Sequence, residues 1–357
     1  MSPCFAVAIL LLLTSTLFLL PLLPALRELL RQSDALPLSV IQQHAGEIRY
    51  FADSFRSYLK TLEAILRDCG ASGRHASGVM PDGTNYLVLG SGNEALSLPL
   101  LQQDRTCPVL IASATDLSLP KDSTFSKDIY SHGRLVGGDN NHYRALLAEQ
   151  EAYLGKGSSV MRWVHAGGEL RVDSGCKLSA RVSSDARIRL AAGCSFQRLN
   201  APCIELGQQA VDNPGHSTPP TSEISSAMKS PRVVHDGDFE IRCGAAFCGD
   251  LVVRGKLRIG SGARVYGSVK SQKDTVLESG VRVEGSLISA GKLLIGPACL
   301  IHGPVISERE MRIQASTQCG DRRTPTTVSA LRIEVAEGVL VFGSLWAREH
   351  GEVVASA

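Results

Sequence analysis

Between Leu257 and Val305 the chain alternates apolar and polar positions in short runs, and it repeats the alternation at a fixed interval. LRIGSGARVYGSV (257–269) is followed eighteen residues later by TVLESGVRVEGSL (275–287) and then by LLIGPACLIHGPV (293–305). Apolar columns keep the same step: Ile259, Leu277, Ile295 and Ile313; Val265, Val283 and Ile301; Val269, Leu287 and Val305. So do Gly249, Gly267, Gly285 and Gly303, and Gly262 and Gly280 with Ala298 at the next step. A constant period of this length predicts a solenoid. Strand residues advance about 3.3 Å and neighbouring strands lie about 4.8 Å apart, so eighteen residues make one three-sided coil of short strands and turns. Coils then pair above and below as parallel sheets, with alternate side chains inward and glycine at corners of positive φ.

The earlier half carries the same pattern. Gly157, Gly175 and Gly193 are eighteen apart, LSLPKDSTFSKDI (117–129) fits with Asp122 at the glycine position, and Gly338 and Gly343 restore the template near the C-terminus. Nine to ten coils are expected, in a first β-solenoid segment over 85–206 and a second over 236–357. Between them, 207–235 contains NPGHSTPPTSEISS, which cannot form a coil and reads as a disordered loop. A shorter interruption falls at DRRTPTT, 321–327. The fold class is therefore all-β: a parallel β-helix, a three-sided β-solenoid of eighteen residues per coil.

Upstream the period changes. Ile41, Ile48, Phe55, Leu62 and Cys69 recur every seven residues, with Ala45, Ala52, Leu59 and Leu66 as a second series. Residues 27–69 thus read as an amphipathic helix, either a coiled coil or a helix laid against the neighbouring domain. Residues 70–84, rich in glycine, read as a flexible linker. The first 26 residues carry no charged side chain. At about 1.5 Å per residue the stretch 5–26 would span about 33 Å, enough for a bilayer. No Lys or Arg precedes the apolar run and no A-x-A site follows it, which favours an uncleaved anchor over a signal peptide. Arg27 and Arg31 just beyond it place the remainder in the cytoplasm by the positive-inside tendency. The expected location is a bacterial inner membrane, crossed once.

Composition agrees with many tight turns and small aliphatic layers: 34 glycines, 44% apolar residues and only 5% aromatics. A net charge of +2 without a basic block gives nucleic-acid binding no electrostatic support. Ten cysteines show no zinc spacing. Ser158, Cys176 and Cys194, then Ala263, Val281 and Cys299, occupy the column after the corner glycine, where a small, mildly apolar side chain is wanted. No cofactor, metal or catalytic group is expected. His302 shares its column position with Tyr266 and Glu284, which suits a solvent-facing site. Trp163 and His165 read as a surface patch or as core. In GGDNNHYR, Asp139, Asn140, Asn141, His142 and Arg144 form a polar loop with the chemistry to bind sugar or phosphate, or an ordinary loop between coils.

The stretch 237–307, with its G-D/S-L/V elements, its L-x-I-G-x-G/A-x-V elements and its eighteen-residue period, resembles bactofilins, the polymer-forming bacterial cytoskeletal proteins. The likeness covers 236–354. It implies a right-handed β-helix that polymerises end to end without nucleotide, lies under the membrane and acts as a scaffold for envelope-building enzymes. Bactofilins commonly carry an apolar aromatic in the terminal coil at the filament contact, and Phe342 matches it. The resemblance therefore makes Leu340, Phe342, Leu345 and Trp346 the expected polymerisation interface, with further copies of the chain and envelope-synthesis enzymes as partners. The chain departs from the family in its membrane span, its helical stalk and its extra segment 85–206, which could block polymerisation at one end. The competing functions are a membrane-bound hexapeptide-type acyltransferase acting on envelope polysaccharide precursors and a periplasmic carbohydrate-binding solenoid using 137–144.

Overall fold

The computed structural model describes residues 13–14, 49–90, 104–207 and 232–355. Short strands stack in parallel columns with three faces, in a β-solenoid of about twelve turns. In the first segment, face one stacks Asn85–Leu89, Leu110–Ser113 and Ile129–Ser131, then 146–148, 163–166, 181–184 and 198–200. Face two runs from Leu117–Ser118 to 204–206, and face three from Thr106–Cys107 to 195–196. In the second segment, three columns start at Arg232–His235, Phe239–Ile241 and Ala246–Cys248 and end within the single long strand Val339–Val354. The interruption expected at 321–327 follows Gln318–Cys319 and ends inside the next strand, Thr326–Ala336; in its turn the Asp321 carboxylate accepts from the backbone of Arg323 and Thr324.

The count of nine to ten coils took in the corners at Asp122 and Ala298 but missed those held by Arg105, Asn140 and Ser316. Positive φ at the corner is held by Gly157, Gly175, Gly193, Gly262, Gly280 and Gly338, but also by Arg105, Asp122, Asn140, Ala298 and Ser316. Gly267, Gly285 and Gly303 serve a different need. Their φ is not positive, yet a Cβ on Gly267 would sit 2.2 Å from the carbonyl oxygen of Gly249, so this column is glycine because backbones touch.

The position after the corner is filled by Ala263 and Val281 in two coils and by a buried donor in several others. The Cys176 thiol donates to the carbonyl of Gly155 at 3.2 Å, Cys194 to Asp173 at 3.1 Å, Cys299 to Glu278 at 3.0 Å, and the Thr317 hydroxyl to Gly296 at 2.9 Å. A small buried donor reaching a carbonyl of the coil below fits both the cavity and the polar group left there. Burial pushes the Cys299 thiol up to about 11 and that of Cys319 up to about 12. Beside Cys194, a thiol hydrogen bond and burial hold Cys176 far above the ordinary thiol range. The nine described cysteines are free thiols, and these interior ones are inert filler.

The amphipathic stripe upstream finds its partner in the solenoid. Helix α1 (Tyr50–Leu59) continues through a 3-10 turn, Lys60–Leu62, into α2 (Glu63–Ser72), closed by Gly73 at φ 68° with its N–H on Cys69 O at 2.8 Å. Ala52, Phe55, Leu59, Leu62 and Cys69 pack on the outside of face one, against Val88, Ala112, Tyr130, Leu147 and Trp163. Face one is thus apolar on both sides, which is why LIAS (110–113) and ALLA (145–148) are unbroken buried runs. Of the two readings for this helix, the one laid against the neighbouring domain is observed; Ile41, Ala45 and Ile48 lie outside the described residues.

Residues 70–84 are not a linker. Strand Ala76–Val79 pairs antiparallel with Asn85–Leu89 through a turn in which Met80 N donates to Thr84 O at 2.8 Å, so the hairpin covers the first strand of face one. Pro81, Asp82 and Gly83 supply turn chemistry, not flexibility. No helix among the described residues is long and apolar enough to cross a membrane. The span expected at 5–26 lies outside them apart from Leu13 and Thr14, as does 208–231 of the expected loop.

Candidate functional site

With no chemistry announced by the sequence, the ends of the stack are the places to look, because a last coil leaves strand edges and core uncovered. The two C-terminal coils are not ends. Strand Ser195–Leu206 pairs antiparallel with Val339–Val354 on all three faces: Leu199 opposite Leu345, Leu206 opposite Val339, Phe196 opposite Gly351. Backbone bonds close the seam, from Gly338 N to Leu206 O at 2.7 Å, Gly193 N to Val353 O at 2.7 Å and Val353 N to Cys194 O at 2.9 Å. The Asn200 amide donates to the Ser344 hydroxyl at 2.9 Å. One hydrophobic core runs unbroken from Leu87 to Val353 through this junction.

The expected polymerisation interface is therefore corrected. Leu345 is fully buried in the shared core, Leu340 is half-buried opposite Glu205, and Phe342 is buried at the corner facing the bulge between Ala201 and Ile204. Trp346 points outward from face one, with the Arg198 guanidinium 5.2 Å from its ring centroid. The last coil in sequence is not last in space, because the second segment is stacked upside down on the first.

Among the described residues, the end without a neighbouring coil is the first rung of the second segment. Arg232–His235, Phe239–Ile241 and Ala246–Cys248 each pair on one side only among the described residues. Val233 occupies the inward column of Leu251 and Val269 but is 38% exposed, where those two are buried. Phe239 and Phe247, half-buried and edge to face at 6.5 Å, roof the core. Cys243 and Cys248 are exposed on the same rung. A repeat pattern cannot show which rung is left bare. The signal available was aromatic residues at columns that hold only non-aromatic ones in every other coil of the second segment.

The polar cluster at 137–144 is a coil corner whose groups are consumed by the fold. Asn141 is fully buried, accepting from Ser123 N and donating to Pro120 O and the Tyr143 hydroxyl, each within 2.8 Å. Asn140 donates to Asp122, Asp139 accepts from Lys156 N, and His142 lies 2.7 Å from the Ser159 hydroxyl. Arg144 reaches the half-buried Asp128, whose carboxyl is raised by desolvation. Trp163 and His165 lie beneath the helix: Trp163 meets Phe55 at 5.5 Å, and His165 Nδ1 lies 2.9 Å from Ser183 Oγ. His302 sits 2.9 Å from Glu284 on the outside of its coil. No group of three His, Cys, Asp or Glu side chains among the described residues is arranged to hold a metal ion.

Comparison with protein families, curated proteins and solved structures finds no match to this chain.

Proposed function

We propose that the protein is a structural scaffold of the bactofilin type, which self-associates end to end and gathers envelope-building enzymes instead of catalysing a reaction. In this reading residues 5–26 anchor it in the inner membrane with the solenoid in the cytoplasm, and the coils are right-handed, as the resemblance implies. The carrying observation is the rung 232–248, whose three strands pair on one side only among the described residues, with the exposed Val233 in an otherwise buried apolar column. Unpaired parallel strands over an uncovered core associate readily. The junction inside the chain supports the reading, because two coils of this sequence already join there through antiparallel pairing on every face.

The same geometry limits the assembly. The contact that the family uses at the C-terminal coil is occupied within the chain, and the hairpin Ala76–Val79 covers face one at the far end. Association through one rung per copy is isologous and closes at a dimer. Mass photometry of the full chain in detergent tests this. A concentration-dependent dimer that Phe247→Arg converts to monomer, with its circular dichroism and melting unchanged, is the expected result. Open filaments, or a dimer indifferent to Phe247→Arg, would count against it.

A further inference from the structure

The outside of face one is a continuous track, and the chain's own helix uses only part of it. Phe55 meets Trp163 edge to face, and the Arg181 guanidinium lies 4.4 Å from the centre of the Phe51 ring. Arg49, just before α1, pairs with Asp185 at 2.8 Å. From there the rungs run on through Arg198, across the junction to Trp346 and Ser329, and along the second segment through Ile306, Ile288, Lys270, Val252 and Val234. This half is largely apolar, broken by Lys270 and Ser329, and no described helix covers it: Trp346 is 42% and Val234 54% exposed, and Ile306, Ile288 and Val252 are half-buried. At its junction end the buried Arg198 Nε has no hydrogen-bond partner.

We propose that this second half of the track docks an amphipathic α-helix supplied by another protein, carrying an apolar stripe and a carboxylate placed to meet Arg198. Continuity with the first half is the main argument, since an amphipathic helix already lies on the same face of the same sheet. Every strand along this face is paired at both edges up to the outer rung, so a partner meets side chains and cannot add a strand. Rungs about 4.8 Å apart match the rise between helix positions i and i+3, about 4.5 Å. From Trp346 to Val234 is six rung steps, which spans about 29 Å, or about 19 helical residues. A second copy of the track is the poorer occupant, because none of the seven outward column positions from Val234 to Trp346 holds an acid to pair with Arg198.

The probe is a set of fluorescein-labelled synthetic peptides of about 20 residues. One has leucines at i, i+3, i+4 and i+7 with glutamates on one flank; the second has glutamine for glutamate; the third scrambles the first. Binding to the full chain in detergent is followed by anisotropy. Saturable binding of the striped peptides and not the scrambled one is expected, weakened at least about tenfold by Ile288→Glu with Ile306→Glu. Arg198→Gln should weaken the glutamate peptide and leave the glutamine peptide unaffected. Unchanged circular dichroism and melting show that the variants fold. No binding, equal binding of the scrambled peptide, or indifference to the isoleucine changes overturns the proposal. So does loss of self-association in Ile306→Glu, which would assign the face to a second copy. Because Phe247→Arg probes dimerisation at another surface, failure here is distinguishable from failure of the scaffold reading.

Discussion

Gly351 lies directly against the ring of Phe196, its register partner across the junction: a Cβ built on Gly351 would fall 2.4 Å from the ring. The seam between the two segments closes only because that side chain is absent. Gly351→Val should force the terminal coils apart and cost about 1–3 kcal/mol, as overpacking of a filled core does. Urea unfolding measures it. A variant as stable as the parent would show that the seam has slack there.

The corner column allows a paired test of opposite sign. Gly280 and Ala298 occupy equivalent corners at φ 67° and 57°. The nearest atom to a Cβ on Gly280 is 3.9 Å away, so alanine there meets no clash and feels only the backbone. Gly280→Ala should lose about 1 kcal/mol, the scale of left-handed strain. Ala298→Gly should gain about 0.5 kcal/mol, because relieved strain is partly offset by the freer unfolded chain. Equal signs for the two would contradict this account of the corners.

Phe55 is buried against Trp163 and anchors the helix on face one. Phe55→Ala should weaken docking by about 3 kcal/mol. Because the helix can open without the solenoid unfolding, trypsin should cut at Arg56, Lys60 and Arg67 about a hundredfold faster while the coils stay protected. Unchanged cleavage would mean that the helix is held elsewhere.

Beneath that helix, burial lowers the pKa of His165 from its ordinary 6.5, reinforced by Arg56 and Arg49 and opposed by Asp185 and Glu149. Its Nε2 makes no hydrogen bond. The folded state therefore binds fewer protons than the unfolded one between the lowered pKa and 6.5. His165 contributes its stability fully above that window and loses it as pH falls. Helix opening, read by the same proteolysis, should rise as pH falls through 6.5 and below, and His165→Gln should flatten the dependence. A parent profile as flat as the variant's would remove His165 from the account.

Much of this fold was legible because the solenoid writes its geometry as a period. Gly262, Gly280 and Ala298 do share one corner conformation, Asp122 does stand in for glycine, and Phe55, Leu62 and Cys69 do bury one helix stripe. What the period could not tell was direction. Gly207 leaves the first segment at the junction and Arg232 enters the second at its far end, so coils adjacent in sequence across 208–231 are not adjacent in space. Phe342, Leu345 and Trp346 were expected at a free end, and only the antiparallel register reveals that end as an internal seam. The 137–144 cluster misled for a related reason: polar residues that tie one coil to the next are the same types that bind ligands.

The end-to-end junction is the central claim, and a double cysteine tests it most directly. Asn200 and Ser344 are register partners with their side chains 2.9 Å apart. Mild oxidation of the Asn200→Cys, Ser344→Cys chain should give a monomer carrying a peptide cross-link between residues 200 and 344, independent of protein concentration. A link forming only between chains, or none while the fold is intact, would contradict the junction and with it the assignment of 232–248 as the open end.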